Sequence, residues 1–140
     1  MTWYLAAFLS AVFAALTAIL AKIGIKNVDS NLATAIRTSV VLIFTWGIVF
    51  FQGSQRAISN ISKGSFVFII LSAIATGLSW LFYFYALKVG SASKVVPIDK
   101  LSLVLTIILA GLVLQEKISV QVIFGSVLMT IGAIVIAFAK

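Results

Sequence analysis

The sequence predicts an all-α integral membrane protein with five transmembrane helices. Three observations carry that expectation. Of 140 residues, 63% are hydrophobic and only 9% are charged, whereas a soluble domain carries about a quarter charged residues to cover its surface. The apolar residues also gather into five runs, each near the roughly 20 residues that a bilayer core about 30 Å thick demands. Finally, the runs neither alternate in polarity nor stop near the ten residues of a barrel strand. In lipid the backbone must satisfy its own hydrogen bonds, so only helices or closed barrels span. One transmembrane domain over 1–140 is expected, without a separate soluble part.

The first span is placed at 2–25, opening "MTWYLAAFLSAVFAALTAIL". It lacks a basic leader, and its apolar run is too long for a signal sequence. The second is placed at 32–52, with Arg37 near its start as a base able to snorkel. The third covers 66–89, the fourth 91–114 and the fifth 120–139. The connections are short: "KNVDSN", "GSQRAISNISKG", "GSASK" and "QEKIS". Short connections place consecutive helices side by side and antiparallel. Trp3 and Tyr4 suit an aromatic belt at the water boundary, and Trp46 suits either that belt or a lipid-facing position.

Charge narrows the function classes. Ten Lys or Arg against three acids give a net charge of +7. In a soluble domain this points to nucleic acid. Here the bases stand singly at the ends of apolar runs, so anionic lipid headgroups are the expected partner and nucleic acid is not. The sequence has no Cys and no His, which excludes disulfides, thiol chemistry and the usual zinc sites. No "GxxxxGK" phosphate loop occurs. An enzyme, a metal site and a cofactor are therefore not expected.

Five spans put the termini on opposite sides of the membrane. One side carries Arg56, Lys63 and Lys117, and the other Lys26, Lys94 and Lys140. Lys22, Arg37 and Lys88 lie within span ends on the second side. The clear bases count three against three, with those three span-end bases tilting the balance, and so weak a bias allows either one fixed orientation or insertion both ways up. Two opposed copies would form the inverted repeat common in transporters.

Several helix faces are small or hydroxylated at i, i+4, i+7 spacing. Span one presents Ser10, Ala14, Thr17 and Ala21; span three Ser72, Thr76, Ser79 and Tyr83; span four Asp99, Ser102, Thr106 and Ala110. Such faces either pack helices closely or line a wet cavity of substrate size. Ser126, Thr130, Ala133 and Ala137 form a similar face on span five, which is expected to pack. In "WLFYFYA", Trp80 and Phe84 lie one turn apart and suit either ordinary packing or contact with a flat or cationic substrate.

Asp99 and Lys100 in "KVVPIDKLS" allow two placements. A helix starting at Pro97 is about 27 Å long, with Asp99 in its first turn, where an acid suits the helix dipole. A helix starting near Ser91 is about 36 Å long and carries Asp99 about 12 Å in, where a charge faces protein or water. In that placement Asp99 is the candidate for a proton or cation, and Lys22 and Lys100 for anionic groups. Neighbours on a helix point about 100° apart, so Asp99 and Lys100 are not ideal partners for one another; Lys22 or a base from another subunit is a candidate partner.

The run "FYFYALKVGSASKVVPIDKLSLVLTIILAGLVLQEKIS", 82–119, resembles the signature of the EamA-like domain of the drug/metabolite transporter superfamily. The matching pieces are the aromatic-Ala-Leu end of span three, the small-residue turn, the Pro early in span four, and "QEKIS" with Glu116. The chain resembles the single-domain, five-span group of bacterial and archaeal transporters. That resemblance implies a multi-pass protein of the plasma membrane and an inverted homodimer in place of the tandem pair. It also implies a cavity lined by spans one, three and four, and a helix four that runs through Pro97. Glu116 is expected to cap or pair locally, near Lys117. The related four-span small multidrug resistance proteins carry an acid in their first helix; here Lys22 is the only charge of span one.

The expected function is secondary transport of a small metabolite by alternating access. The expected site comprises Asp99, Lys100, Lys22, Ser10, Thr17, Thr76, Ser79, Trp80, Tyr83, Ser102 and Thr106. A non-transporting subunit of a larger membrane complex and a flippase for a lipid-linked metabolite are the alternatives.

Overall fold

The computed structural model describes residues 2–139; Lys140, one of the bases counted above, lies outside them. Among the described residues every regular element is a helix and no strand occurs. The helices are α1 (Trp3–Gly24), α2 (Ser30–Gln52), α3 (Lys63–Val89), α4 (Ala92–Asp99), α5 (Ser102–Val113) and α6 (Val120–Phe138). A 3₁₀ segment, Ser54–Asn60, follows α2 inside what reads from sequence as the longest loop. Five helices are long and apolar enough to cross a membrane when α4 and α5 are taken together as Ala92–Val113.

Local chemistry sets the helix ends. Asp29 caps α2: its Oδ1 accepts the Asn31 and Leu32 N–H groups at 2.9 and 3.0 Å. This satisfies donors that a helix start otherwise leaves open, and α2 begins two residues before the apolar run. The Leu32 N–H, aided by that of Asn31, holds the exposed Asp29 carboxyl below its usual range. Gly53 ends α2 with φ +71°, a left-handed geometry that glycine adopts without steric cost. Ser62 does for α3 what Asp29 does for α2, accepting the Ser65 N–H at 3.1 Å. The third helix therefore opens at Lys63, three residues earlier than hydropathy places it. Ser119 accepts the Val122 N–H at 3.4 Å and starts α6.

The fourth span starts at Ala92, so the short version beginning at Pro97 does not occur. Pro97 lies inside α4 and has no N–H to offer the preceding turn. The span then breaks. Lys100, at φ −68°, ψ −7°, ends α4 while its backbone stays in the right-handed helical region. Leu101, Leu103 and Val104 donate to Ile98, Lys100 and Leu101 respectively, each three residues back, at 2.9, 3.0 and 3.1 Å. Such a 3₁₀ tightening interrupts the α-helical ladder.

After α5 the chain turns at Gln115, whose φ is +55°. The Glu116 N–H returns to the Ala110 carbonyl at 3.2 Å. Glu116 thus acts locally, as expected, but through its backbone; its carboxylate makes no ion pair with Lys117 among the described residues.

The chain divides into two compact units. One comprises residues 1–19 with 89–140, the other residues 20–88. In the first, α6 packs against α4 and α5. Ser126 and Ala133, on the small-residue face expected to pack, are the buried residues of α6. In the second, Phe84 and Leu87 of α3 are fully buried, at 2% and 0% exposure. Most large apolar side chains of all five spans are exposed, the surface that a hydrocarbon environment would cover.

Candidate functional site

Expected site residues fall in both units. Ser10, Thr17, Asp99, Lys100, Ser102 and Thr106 belong to the first, and Lys22, Thr76, Ser79, Trp80 and Tyr83 to the second.

In the first unit the charged centre is the break in the fourth span. Asp99 is the last residue of α4 and Lys100 caps it. Their side chains lie 3.6 Å apart and are 35% and 56% exposed. The two, expected not to be ideal partners, do meet: long, partly exposed side chains reach across the roughly 100° between helical neighbours. At 3.6 Å and half exposed, the pair is a loose one, and such pairs contribute about 0–1 kcal/mol. Ser102 and Thr106 follow on the exposed surface of α5, and Thr106 Oγ1 donates to the Ser102 carbonyl at 2.9 Å. Ser10 is exposed and Thr17 half-buried on α1.

A lysine caps a neighbouring helix in each unit. In the second, Lys22 Nζ donates to the Leu87 carbonyl at 2.6 Å and to that of Lys88 at 3.4 Å. These carbonyls end α3, where a cation meets the negative end of the helix dipole. In the first, Lys94 Nζ donates to the Ala139 carbonyl beyond α6. Lys22 therefore has a structural task at α3, whereas the sequence alone suggests only an anion site or a partner for Asp99.

The second unit also holds a cluster that the stripes do not include. Arg37, in the second turn of α2, lays its guanidinium over two rings of α3. Its Cζ is 3.9 Å from the Phe84 ring centroid and 5.8 Å from that of Trp80. Tyr83 meets Phe84 edge-on, with centroids 5.3 Å apart. The cation on this aromatic cluster is thus the protein's own. Beside it a shallow groove of about 340 Å³ is lined by Asn31, Thr34, Thr38 and Ser39 of α2 and by Gly77 and Leu81 of α3. Thr34, Thr38 and Ser39 each donate to the carbonyl four residues back, at 2.7, 2.8 and 3.0 Å. Hydroxyls in apolar helices commonly bond this way, which leaves their oxygens as acceptors. Thr76 does the same toward Ser72, at 2.9 Å, and Ser79 is exposed. The signal for this cluster is present as "NLATAIRTS", where Asn31, Thr34, Thr38 and Arg37 crowd the start of span two.

Among the described residues no group of three His, Cys, Asp or Glu side chains is arranged to hold a metal.

Comparison with known proteins places these features. The sequence model of the EamA-like transporter family matches residues 1–138. A protein of Sinorhizobium sp, named "Uncharacterized transporter in cobO 3'region", is 43% identical over 136 residues, which are 97% of this chain and 96% of that protein. An uncharacterized protein of Methanocaldococcus jannaschii is 34% identical over 71 residues, about half of each chain. No solved structure matches the chain.

Proposed function

Since this chain belongs to the EamA-like transporter family, we propose that it is a secondary transporter that moves a small metabolite by alternating access, working as a homodimer. The observation that carries this reading is the extent of the match: nearly the whole chain aligns with nearly the whole of a protein named as a transporter. A multi-pass protein with so few buried side chains supports a dimer, because two copies can enclose a permeant path that one leaves open to lipid. Opposed copies would recreate the inverted repeat, with the sites near the bilayer midplane. A broken span supports the same reading. Discontinuous helices place helix ends and charges where substrates or coupling ions bind, and here Asp99 and Lys100 stand at such a break.

Asp99 is the proposed site for a proton or coupling cation, and Lys100 its partner when that cation is absent. Ser102 and Thr106 of α5, Ser10 and Thr17 of α1, and Thr76 and Ser79 of α3 are the proposed polar lining. The protein is placed in the plasma membrane of a bacterium or archaeon.

Purified protein in liposomes tests the proposal. Substrate-driven flux without any partner protein is expected across a panel of small metabolites. Asp99→Asn is expected to lower that flux by at least about tenfold and to flatten its pH dependence, because removing a transmembrane acid removes the exchangeable proton. Wild-type liposomes silent across the panel would sink the transport reading, and an Asp99→Asn protein with normal flux and pH profile would remove Asp99.

A further inference from the structure

The strongest feature outside the proposed coupling site is the guanidinium of Arg37. It sits in an apolar span, where a charge is costly and is ordinarily paired. Yet its Nη1 is enclosed and has no hydrogen-bond acceptor. Among the described residues no carboxylate compensates it. The sequence has three acids. Asp29 accepts the first N–H groups of α2, and Asp99 forms with Lys100 the one ion pair among the described residues. Glu116, the third, forms none there. The faces of Phe84 and Trp80 attract the cation but offer no oxygen to its N–H edges. The rings instead hold the cation in place, with its Cζ 3.9 Å from the Phe84 centroid, and leave its N–H groups to another partner. The guanidinium fork matches the two oxygens of a carboxylate or phosphate. The residue as a whole remains partly exposed, so a ligand has an approach. The neighbouring Thr34 and Thr38 hydroxyls have already given their protons to helix carbonyls, which leaves Arg37 as the strong donor on this stretch of α2.

We propose that Arg37, with its cation over the rings of Phe84 and Trp80, is an oxyanion-recognition site that takes the carboxylate or phosphate of a bound molecule. The oxyanion belongs either to a soluble permeant or to a lipid headgroup. If the permeant, this site names its class as a small organic or inorganic anion; that assignment rests on the transport reading, whereas the binding itself does not. The aromatic cluster is then a platform for the protein's own cation.

Trp80 provides the reporter. In a Trp3→Phe, Trp46→Phe background it is the sole tryptophan. This protein is titrated with inorganic phosphate and with acetate in phosphatidylcholine vesicles, against sodium chloride of equal ionic strength. In parallel, phosphatidylglycerol replaces phosphatidylcholine. A saturable change in Trp80 fluorescence is expected. Arg37→Gln is expected to weaken the response by at least about tenfold, as loss of a charge-assisted pair implies, with Arg37→Lys between the two. A response to the soluble anions assigns the site to a soluble oxyanion, and a response to phosphatidylglycerol alone assigns it to a headgroup; both uphold the site. Wild-type Arg37 insensitive to all three overturns it. So does an Arg37→Gln protein that titrates like its parent. Where the Gln variant does not fold, Arg37→Lys binding as tightly as the parent overturns it equally. Liposome flux fails separately: an Arg37-dependent phosphate response without flux keeps this site and removes transport, and flux without that response does the reverse.

Discussion

Lys22 shows how one charge in an apolar helix is accommodated. Its ammonium closes the C-terminal end of α3 through the carbonyls of Leu87 and Lys88, and hydrogen bonds from charged groups stabilise by about 1.5–3 kcal/mol each. Lys22→Met keeps the apolar stem and removes the cap. It is expected to lower unfolding stability in detergent by about 1–2 kcal/mol, read from a thermal or denaturant midpoint; an unchanged midpoint would show that the contact carries no stability. Asp29 is the complementary case at a helix start. Its folded pKa lies below the unfolded value because the Leu32 N–H, with that of Asn31, bonds the ionised form. Its contribution is therefore present above the unfolded carboxylate pKa and is lost as pH falls through the folded one. Asp29→Ala is expected to lower the thermal midpoint at neutral pH, and the gap to wild type is expected to close as pH falls through the folded carboxyl's pKa. A gap that persists in acid would assign the effect to packing and not to the charged cap.

At the scale of the element, span four is the one that departs from regularity. Pro97 removes a backbone donor within α4, and three i→i−3 bonds tighten the chain between Ile98 and Val104. Such interruptions recur at functional hinges. Pro97→Ala restores a donor to the preceding turn and is expected to raise the thermal midpoint while slowing flux severalfold. Faster flux, or flux and stability both unaltered, would show that the break has no mechanical part in transport. Span two contributes in a different way. Its N-terminal half carries Asn31, Thr34, Arg37 and Thr38, and its C-terminal half is apolar apart from Thr45 and Gln52. This element combines the surface proposed to bind an oxyanion with an exposed apolar one.

For the whole molecule the open quantity is orientation. The clear loop bases count three on each side when Lys140 is included, and Lys22, Arg37 and Lys88 within span ends leave a weak bias to one side; the positive-inside rule responds to imbalance. Compartment-sensitive reporters fused to either terminus are expected to show both orientations. Adding two Lys residues to the Ser54–Asn60 segment is expected to bias insertion and, for an inverted dimer, to cut flux severalfold unless an oppositely biased partner is co-expressed. A wild-type protein seen in a single orientation, with full flux, would end the inverted pairing.

The number, order and approximate ends of the five spans are legible in the amino-acid sequence, and the reasons lie in particular residues. Pro97 inside a longer helix and the packing face at Ser126 and Ala133 are readable in the same way. Hydropathy places the starts of α2 and α3 two and three residues late because Asp29 and Ser62 draw polar residues into the first turn, which hydropathy counts as loop. The Asp99–Lys100 contact escapes a sequence reading that weighs the angle between helical neighbours but not the reach of their side chains. Arg37 escapes it for a deeper reason. A base near a span end reads as snorkelling, and nothing adjacent in sequence reveals rings more than forty residues away.

By itself, then, the sequence determined that this chain lives in lipid as five helices, since hydropathy and helix length are local sums over neighbouring residues. Only the tertiary structure decided which charges are answered and by what: Lys22 by the end of α3, Asp99 by Lys100, and Arg37 by aromatic faces alone. Compensation of a charge in an apolar medium depends on groups within a few ångströms, and those groups arrive from distant parts of the chain.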